Sequence, residues 1–130
     1  MPARVVDASV LAAFAFNEPR AGEAAELIEG FNLYAPELLP YELCSVARAK
    51  SSQSRSHAAQ ISAAMEVALS IDMTLVKVPL TELLALALET GLTVYDAAYL
   101  ELAERRTLAL ACKDGPLRKA AKQRGVRVWR

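Results

Sequence analysis

The chain has 130 residues, 54% of them hydrophobic, and fifteen Lys and Arg balance fifteen Asp and Glu. That size and apolar content predict one folded domain over residues 1–130 with a sizeable core, and exclude a disordered chain. No apolar run approaches the ~20 residues of a membrane span. Met1-Pro2-Ala3-Arg4 enters a strand pattern at once, which leaves no room for a signal peptide and predicts a cytoplasmic protein.

Strand and helix patterns alternate along the chain, as they do in α/β folds with a parallel sheet. Short runs rich in Val and Leu predict strands near 3–7, 33–35, 74–78, 108–112 and 126–129. Helical periodicity predicts helices near 9–16, 20–30, 37–52, 56–71, 80–90, 95–106 and 115–124. Pro19, Pro36, Pro79 and Pro116 fall at junctions, while Pro40 lies inside a helical pattern and requires a place in its first turn. Lys50-Ser51-Ser52-Gln53-Ser54-Arg55-Ser56 is the most polar stretch and reads as an inter-helix turn, with Ser56 as the cap of the next helix. Cys44 and Cys112 have no metal or redox spacing and are expected as buried, reduced thiols.

Four acids stand out. Asp7 closes the strand pattern Ala3-Arg4-Val5-Val6, and Asp114 closes Leu108-Ala109-Leu110-Ala111-Cys112. Glu42 and Asp96 interrupt stretches that are otherwise nearly all apolar. Groups at the carboxyl ends of parallel strands converge on one crevice. Two carboxylates ~4 Å apart repel by roughly 4 kcal/mol at an effective dielectric near 20. A divalent cation with oxygen ligands removes that cost, which points to Mg²⁺ or Mn²⁺ and to phosphodiester chemistry. Each acid also has a structural explanation. Asp7 can cap the following helix, and Glu42 can sit at a helix start where the dipole favours it. Thr93 and Asp96 have capping-box spacing, and Asp114-Gly115-Pro116 suits a turn. Ser45, three residues after Glu42, is expected on the same helical face, within hydrogen-bond reach of it.

The neutral total hides a split. Residues 105 to 130 hold nine bases and one acid; the rest of the chain holds six bases and fourteen acids. A basic C-terminal surface beside an acidic site suits a polyanion over a metal, and a solvated helix paired with acids elsewhere suits it equally. Lys113, Arg118 and Lys119 are the candidate phosphate contacts. No glycine-rich nucleotide loop and no Gly-x-Ser-x-Gly elbow occurs. His57, the one histidine, lies in the polar turn, which disfavours a catalytic triad or a histidine-based metal site. A phosphate-accepting receiver-type site would want an acid two residues after Asp7, where the chain has Ser9.

Val5-Val6-Asp7-Ala8-Ser9-Val10-Leu11 resembles the opening strand of PIN-domain ribonucleases. Pro36-Glu37-Leu38-Leu39-Pro40-Tyr41-Glu42-Leu43 resembles their second motif, and Ala111-Cys112-Lys113-Asp114-Gly115-Pro116-Leu117 their fourth. The third is the most specific: Gly91-Leu92-Thr93-Val94-Tyr95-Asp96-Ala97-Ala98-Tyr99-Leu100-Glu101-Leu102-Ala103. The motifs run in order over essentially the whole chain, and at this length they are most similar to toxins of the VapC type. The resemblance implies a three-layer α/β/α sandwich with a five-stranded parallel sheet. It implies RNA cleavage with Mg²⁺ or Mn²⁺ at Asp7, Glu42, Asp96 and Asp114, a homodimer, and a small antitoxin partner. On it, Ser9 and Ser45 are the polar neighbours of the ligands. Three positions depart from the pattern: Ser45 where Asn is common, Cys112 where Thr or Ser is common, and Gly115 where a basic residue is frequent. These departures leave room for a second reading, a PIN-like module that binds RNA or protein without catalysis.

Overall fold

The computed structural model describes residues 1–113 and 115–129. Five strands form one sheet: β1 (Ala3–Val6), β2 (Asn32–Pro36), β3 (Met73–Val76), β4 (Ala109–Ala111) and β5 (Val128–Trp129). All pairings are parallel, in the order β3-β2-β1-β4-β5. β1 lies at the centre, with Val5 opposite Tyr34 on one side and Leu110 on the other. Its side chains Val5 and Val6 are fully buried, as expected of a strand covered on both faces. β5 is shorter than the sequence pattern because its partner β4 has only three residues, which register with Val128 and Trp129 alone.

The described residues form seven α-helices: α1 (Ala8–Ala15), α2 (Ala21–Ile28), α3 (Leu39–Gln53), α4 (Ala58–Ser70), α5 (Leu80–Thr90), α6 (Val94–Arg106) and α7 (Pro116–Gln123). α1 packs on α2, α3 and α4, whereas α6 packs on α5, α7 and strands β1, β2 and β4. This is an α/β sandwich built on an all-parallel sheet. Pro40 falls in the first turn of α3, where its missing N–H has no intrahelical partner. Ser56 is not a helix cap: it lies within a short 3-10 turn, Arg55–His57, that precedes α4 and spends the polar stretch in tight backbone bonds. His57 is exposed. Cys112 is buried, but Cys44 is exposed on α3, because that helix turns Leu39, Leu43 and Val46 to the core and Cys44 away from it.

Strand order positions the site. The chain leaves β1 toward β2 and β3, then returns to the other side of β1 as β4. The carboxyl ends of β1 and β4 therefore flank the point where the winding reverses, the usual crevice of an open α/β sheet. The Asp7 amide extends the ladder by donating to the Ala111 carbonyl at 3.1 Å, which holds the end of β1 against the end of β4. Gly91 ends α5 in the left-handed region at φ 75°, a conformation that costs glycine nothing, and turns the chain into the cap of α6. Among the described residues, no single helix is long and apolar enough to cross a membrane.

Candidate active site

Three acids enter the crevice from three helix N-termini. Asp7 is the N-cap of α1, and its Oδ1 accepts from the Val10 amide at 3.0 Å and from the Ser9 hydroxyl at 2.8 Å. Glu42 lies in the first turn of α3. Asp96 lies in the first turn of α6, where its amide donates to the Thr93 hydroxyl at 3.1 Å, so Thr93 caps the helix, while the Asp96 carboxylate returns no bond among the described residues and the capping box read from sequence is only half formed. The structural roles are therefore real, and they aim the carboxylates: helix N-termini favour negative charge.

The three carboxyls feel one another. Asp7 is 9% exposed. Burial pushes its pKa up to about 6, against the two hydrogen bonds that lower it, and the charges of Asp96 and Glu42 raise it further. Glu42 is raised by burial and by Asp96, partly offset by a hydrogen bond from Tyr99; Asp96 is raised by burial. Among the described residues, no Lys or Arg is a cause of any of these shifts. Asp7 Oδ2, Glu42 Oε2 and both oxygens of Asp96 accept no hydrogen bond among the described residues. The donor set is thus hard, anionic, half-desolvated and short of cations, the chemistry that Mg²⁺ or Mn²⁺ complements. It is also incomplete: among the described residues no group of three or more His, Cys, Asp and Glu side chains forms a ready metal cage. Asp114, the fourth acid singled out in the sequence, lies outside the described residues.

Tyr99 escaped the sequence reading as a site residue. It is 2% exposed, and its phenol donates to Glu42 Oε1 at 2.6 Å. Burial and the Glu42 carboxylate raise its pKa far above the phenol range, so it is a permanent donor. The signal was present: a tyrosine among Ala97, Ala98, Leu100 and Leu102 is destined for the core, and a buried phenol needs a partner. Ser45, expected to bond Glu42, is exposed and makes no such bond; the carboxylate takes its hydrogen bond from Tyr99 instead.

The basic residues divide. Lys113 pairs with Glu18 at 3.3 Å, beside Lys50 at 2.8 Å from the same carboxylate. Arg105 pairs with Glu101, and Arg124 with Glu104 and Glu89. Arg118 is half-buried on α7, and Lys119 is exposed there. Arg105, Lys113 and Arg124 of the basic C-terminal segment therefore neutralise acids elsewhere. Arg130 lies outside the described residues.

A family model described as PIN domain matches residues 4–123, a span that holds all four acids. The chain is similar to the crystal structure of PAE2754 from Pyrobaculum aerophilum, with 30% identity and a TM-score of 0.78 over 98% of this chain and 92% of that one. Among curated proteins, none matches the sequence.

Proposed function

The chain belongs to the PIN domain family, and on that premise we propose that it is a Mg²⁺- or Mn²⁺-dependent endoribonuclease, the toxin of a toxin–antitoxin pair. PIN domains are generally nucleases and usually use divalent metal ions. One observation carries the reading in this chain. Asp7, buried at the reversal of the sheet's winding, has Glu42 and Asp96 close enough to raise its pKa and, among the described residues, no base to offset them.

In this reading Asp7, Glu42 and Asp96 hold the ion directly or through water, and Asp114 is the weakest ligand or orients water. An ion held there would stabilise charge on the phosphoryl oxygens and lower the pKa of the attacking water. Ser9 and the Val10 amide fix Asp7 by one oxygen and, among the described residues, leave the other without a donor. Tyr99 does the same for Glu42. These bonds set the direction of the carboxylates before any ligand arrives, which lowers the cost of assembling the site. Lys119 and Arg118 are proposed phosphate contacts, which position a backbone without reading its sequence; Lys113 is already held by Glu18.

The proposed partners are a second copy and an antitoxin in the cytoplasm. Leu80, Leu84 and Leu88 form an exposed ridge on α5, and Val67 and Leu69 are exposed on α4. Such ridges suit a covering partner.

The test is cleavage of mixed RNA by the purified protein. Cleavage should be abolished by a chelator and restored by Mg²⁺ or Mn²⁺. Cleavage indifferent to the chelator contradicts the metal assignment, and RNA binding without cleavage at any metal concentration favours the non-catalytic binding module.

A further inference from the structure

Tyr41 and Tyr95 each stand immediately before an acid of the site, Glu42 and Asp96, in the first turns of α3 and α6. Unlike Tyr99, they keep their rings in water: Tyr41 is 79% exposed and Tyr95 61%. Both line one groove of about 570 Å³, whose wall also contains Ser9, Glu42 and Ser45. The groove therefore opens beside the acids and is flanked by an aromatic ring from each of two helices.

α3 extends this surface. Tyr41, Ser45 and Arg48 follow at i, i+4 and i+7, so they share one helical face. All three are exposed, and Arg48 has no ion-pair partner among the described residues. The face thus presents, in order, a ring next to the acids, a hydroxyl, and a cation about two turns away. Lys113, Arg105 and Arg124, by contrast, are occupied by carboxylates.

The geometry points to a nucleobase-stacking groove, in which Tyr41 and Tyr95 stack on bases flanking the phosphodiester held at the acids, and Arg48 meets a neighbouring phosphate. The placement of that phosphodiester rests on the nuclease reading above. A phosphodiester held at Glu42 and Asp96 would place its adjoining bases within reach of the groove that Tyr41 and Tyr95 line. Aromatic faces accept any unpaired base, and each such stack contributes roughly tenfold or more in affinity. A cation with no protein partner on the same face complements the polyanion, not an apolar peptide. The two tyrosines and Arg48 are thus substrate-positioning residues, separate from the acids.

Equilibrium binding tests this, with Ca²⁺ in place of Mg²⁺ so that binding is read apart from cleavage. The probes are a fluorescent mixed-sequence RNA octamer and an abasic octamer of the same backbone. The wild type should prefer the octamer with bases by about tenfold or more. Tyr41→Ala and Tyr95→Ala should each lose about tenfold on that octamer and nothing on the abasic one, whereas Tyr41→Phe and Tyr95→Phe retain wild-type binding because the ring remains. Arg48→Ala should weaken both octamers alike and reduce the salt dependence by about one phosphate contact. A wild type that binds both octamers equally or neither, or alanine variants within twofold of wild type, overturns the inference. So does a dimer of wild type that Tyr41→Ala dissociates, since a second copy would then fill the groove. Failure of RNA cleavage with base-dependent binding intact would fall on the nuclease reading alone.

Discussion

The phenol of Tyr99 donates a 2.6 Å hydrogen bond to Oε1 of Glu42, joining the first turn of α3 to the second turn of α6 across 57 residues of chain. Tyr99 lies three residues beyond Asp96 on the same helix, so one rigid element supplies an acid and the group that orients another. Tyr99→Phe keeps the ring in the core and removes only the donor. The expected result is a loss of about 1–2 kcal/mol in urea denaturation, the range for a hydrogen bond to a charged acceptor. The Mg²⁺ concentration for half-maximal thermal stabilisation should rise several-fold as well, because Glu42 is no longer held. An unchanged Mg²⁺ midpoint would reduce Tyr99 to a core residue.

The pH dependence of stability follows from the raised carboxyls. Asp7 titrates near 6 in the folded protein and at 3.8 as a free side chain, so the metal-free native state binds its proton more tightly than the unfolded state does. Stability of the metal-free protein should therefore rise as pH falls from 7 toward 4. The penalty present above pH 6 is on the order of 3 kcal/mol and is relieved across that window. Glu42 and Asp96, also raised, act in the same direction. Glu18, lowered by Lys50 and Lys113, takes stability away only when pH falls below its usual carboxylate value. With saturating Mg²⁺ the slope should reverse, since protons then compete with the ion. Urea midpoints from pH 7 to pH 4.5, with and without Mg²⁺, check both signs, and a flat metal-free profile would contradict the burial of Asp7.

Asp7→Asn removes a charge and keeps the side-chain shape. Without metal, this variant should be more stable than wild type at pH 7, because a desolvated charge facing two other acids is gone. With Mg²⁺ the order should invert, since a ligand stabilises only the state that binds it. Paired melting curves decide it: an Asp7→Asn protein that gains as much from Mg²⁺ as wild type does would remove Asp7 from the ligand set.

Arg4 provides a contrast away from the acids. It is 5% exposed on β1, with its guanidinium 3.3 Å from the Phe31 ring centroid and 5.1 Å from Trp129, and one nitrogen donating to the Leu27 carbonyl at 3.0 Å. This cation ties the start of β2 and the strand β5 to the central strand by stacking in place of an ion pair. Arg4→Lys should cost about 1–3 kcal/mol in denaturation, because an ammonium cannot stack and bond in that slot. Cleavage per folded molecule should not change. A loss of activity without a loss of stability would tie Arg4 to the site.

The parallel sheet was legible because its strands are short apolar runs separated by helical periodicities, and the element order follows directly from them. The positions of Asp7, Glu42 and Asp96 at helix starts were legible for the same reason: cap chemistry and strand ends leave local signals in Asp7-Ala8-Ser9 and Thr93-Val94-Tyr95-Asp96. Long-range pairings were not. Glu42 could have met Ser45 by helical spacing, and only the packing of α6 on the sheet brings Tyr99 to it instead. Lys113 looked free for phosphate, and Glu18, 95 residues distant in sequence, occupies it. Cys44 looked buried by composition, yet α3 buries only a narrow stripe.

Cleavage of mixed RNA by wild type and Asp96→Asn at equal folded concentration, titrated with Mg²⁺, tests the central claim most directly. Asp96 lies at the mouth of the crevice, half-buried, and its backbone cap bond to Thr93 survives the change to asparagine. The account predicts saturable Mg²⁺-dependent cleavage by wild type. It predicts a loss of a hundredfold or more in the variant, on the order of removing one strongly stabilising group from a reaction site, with the fold intact by circular dichroism. Undiminished Mg²⁺-dependent cleavage by Asp96→Asn would contradict it.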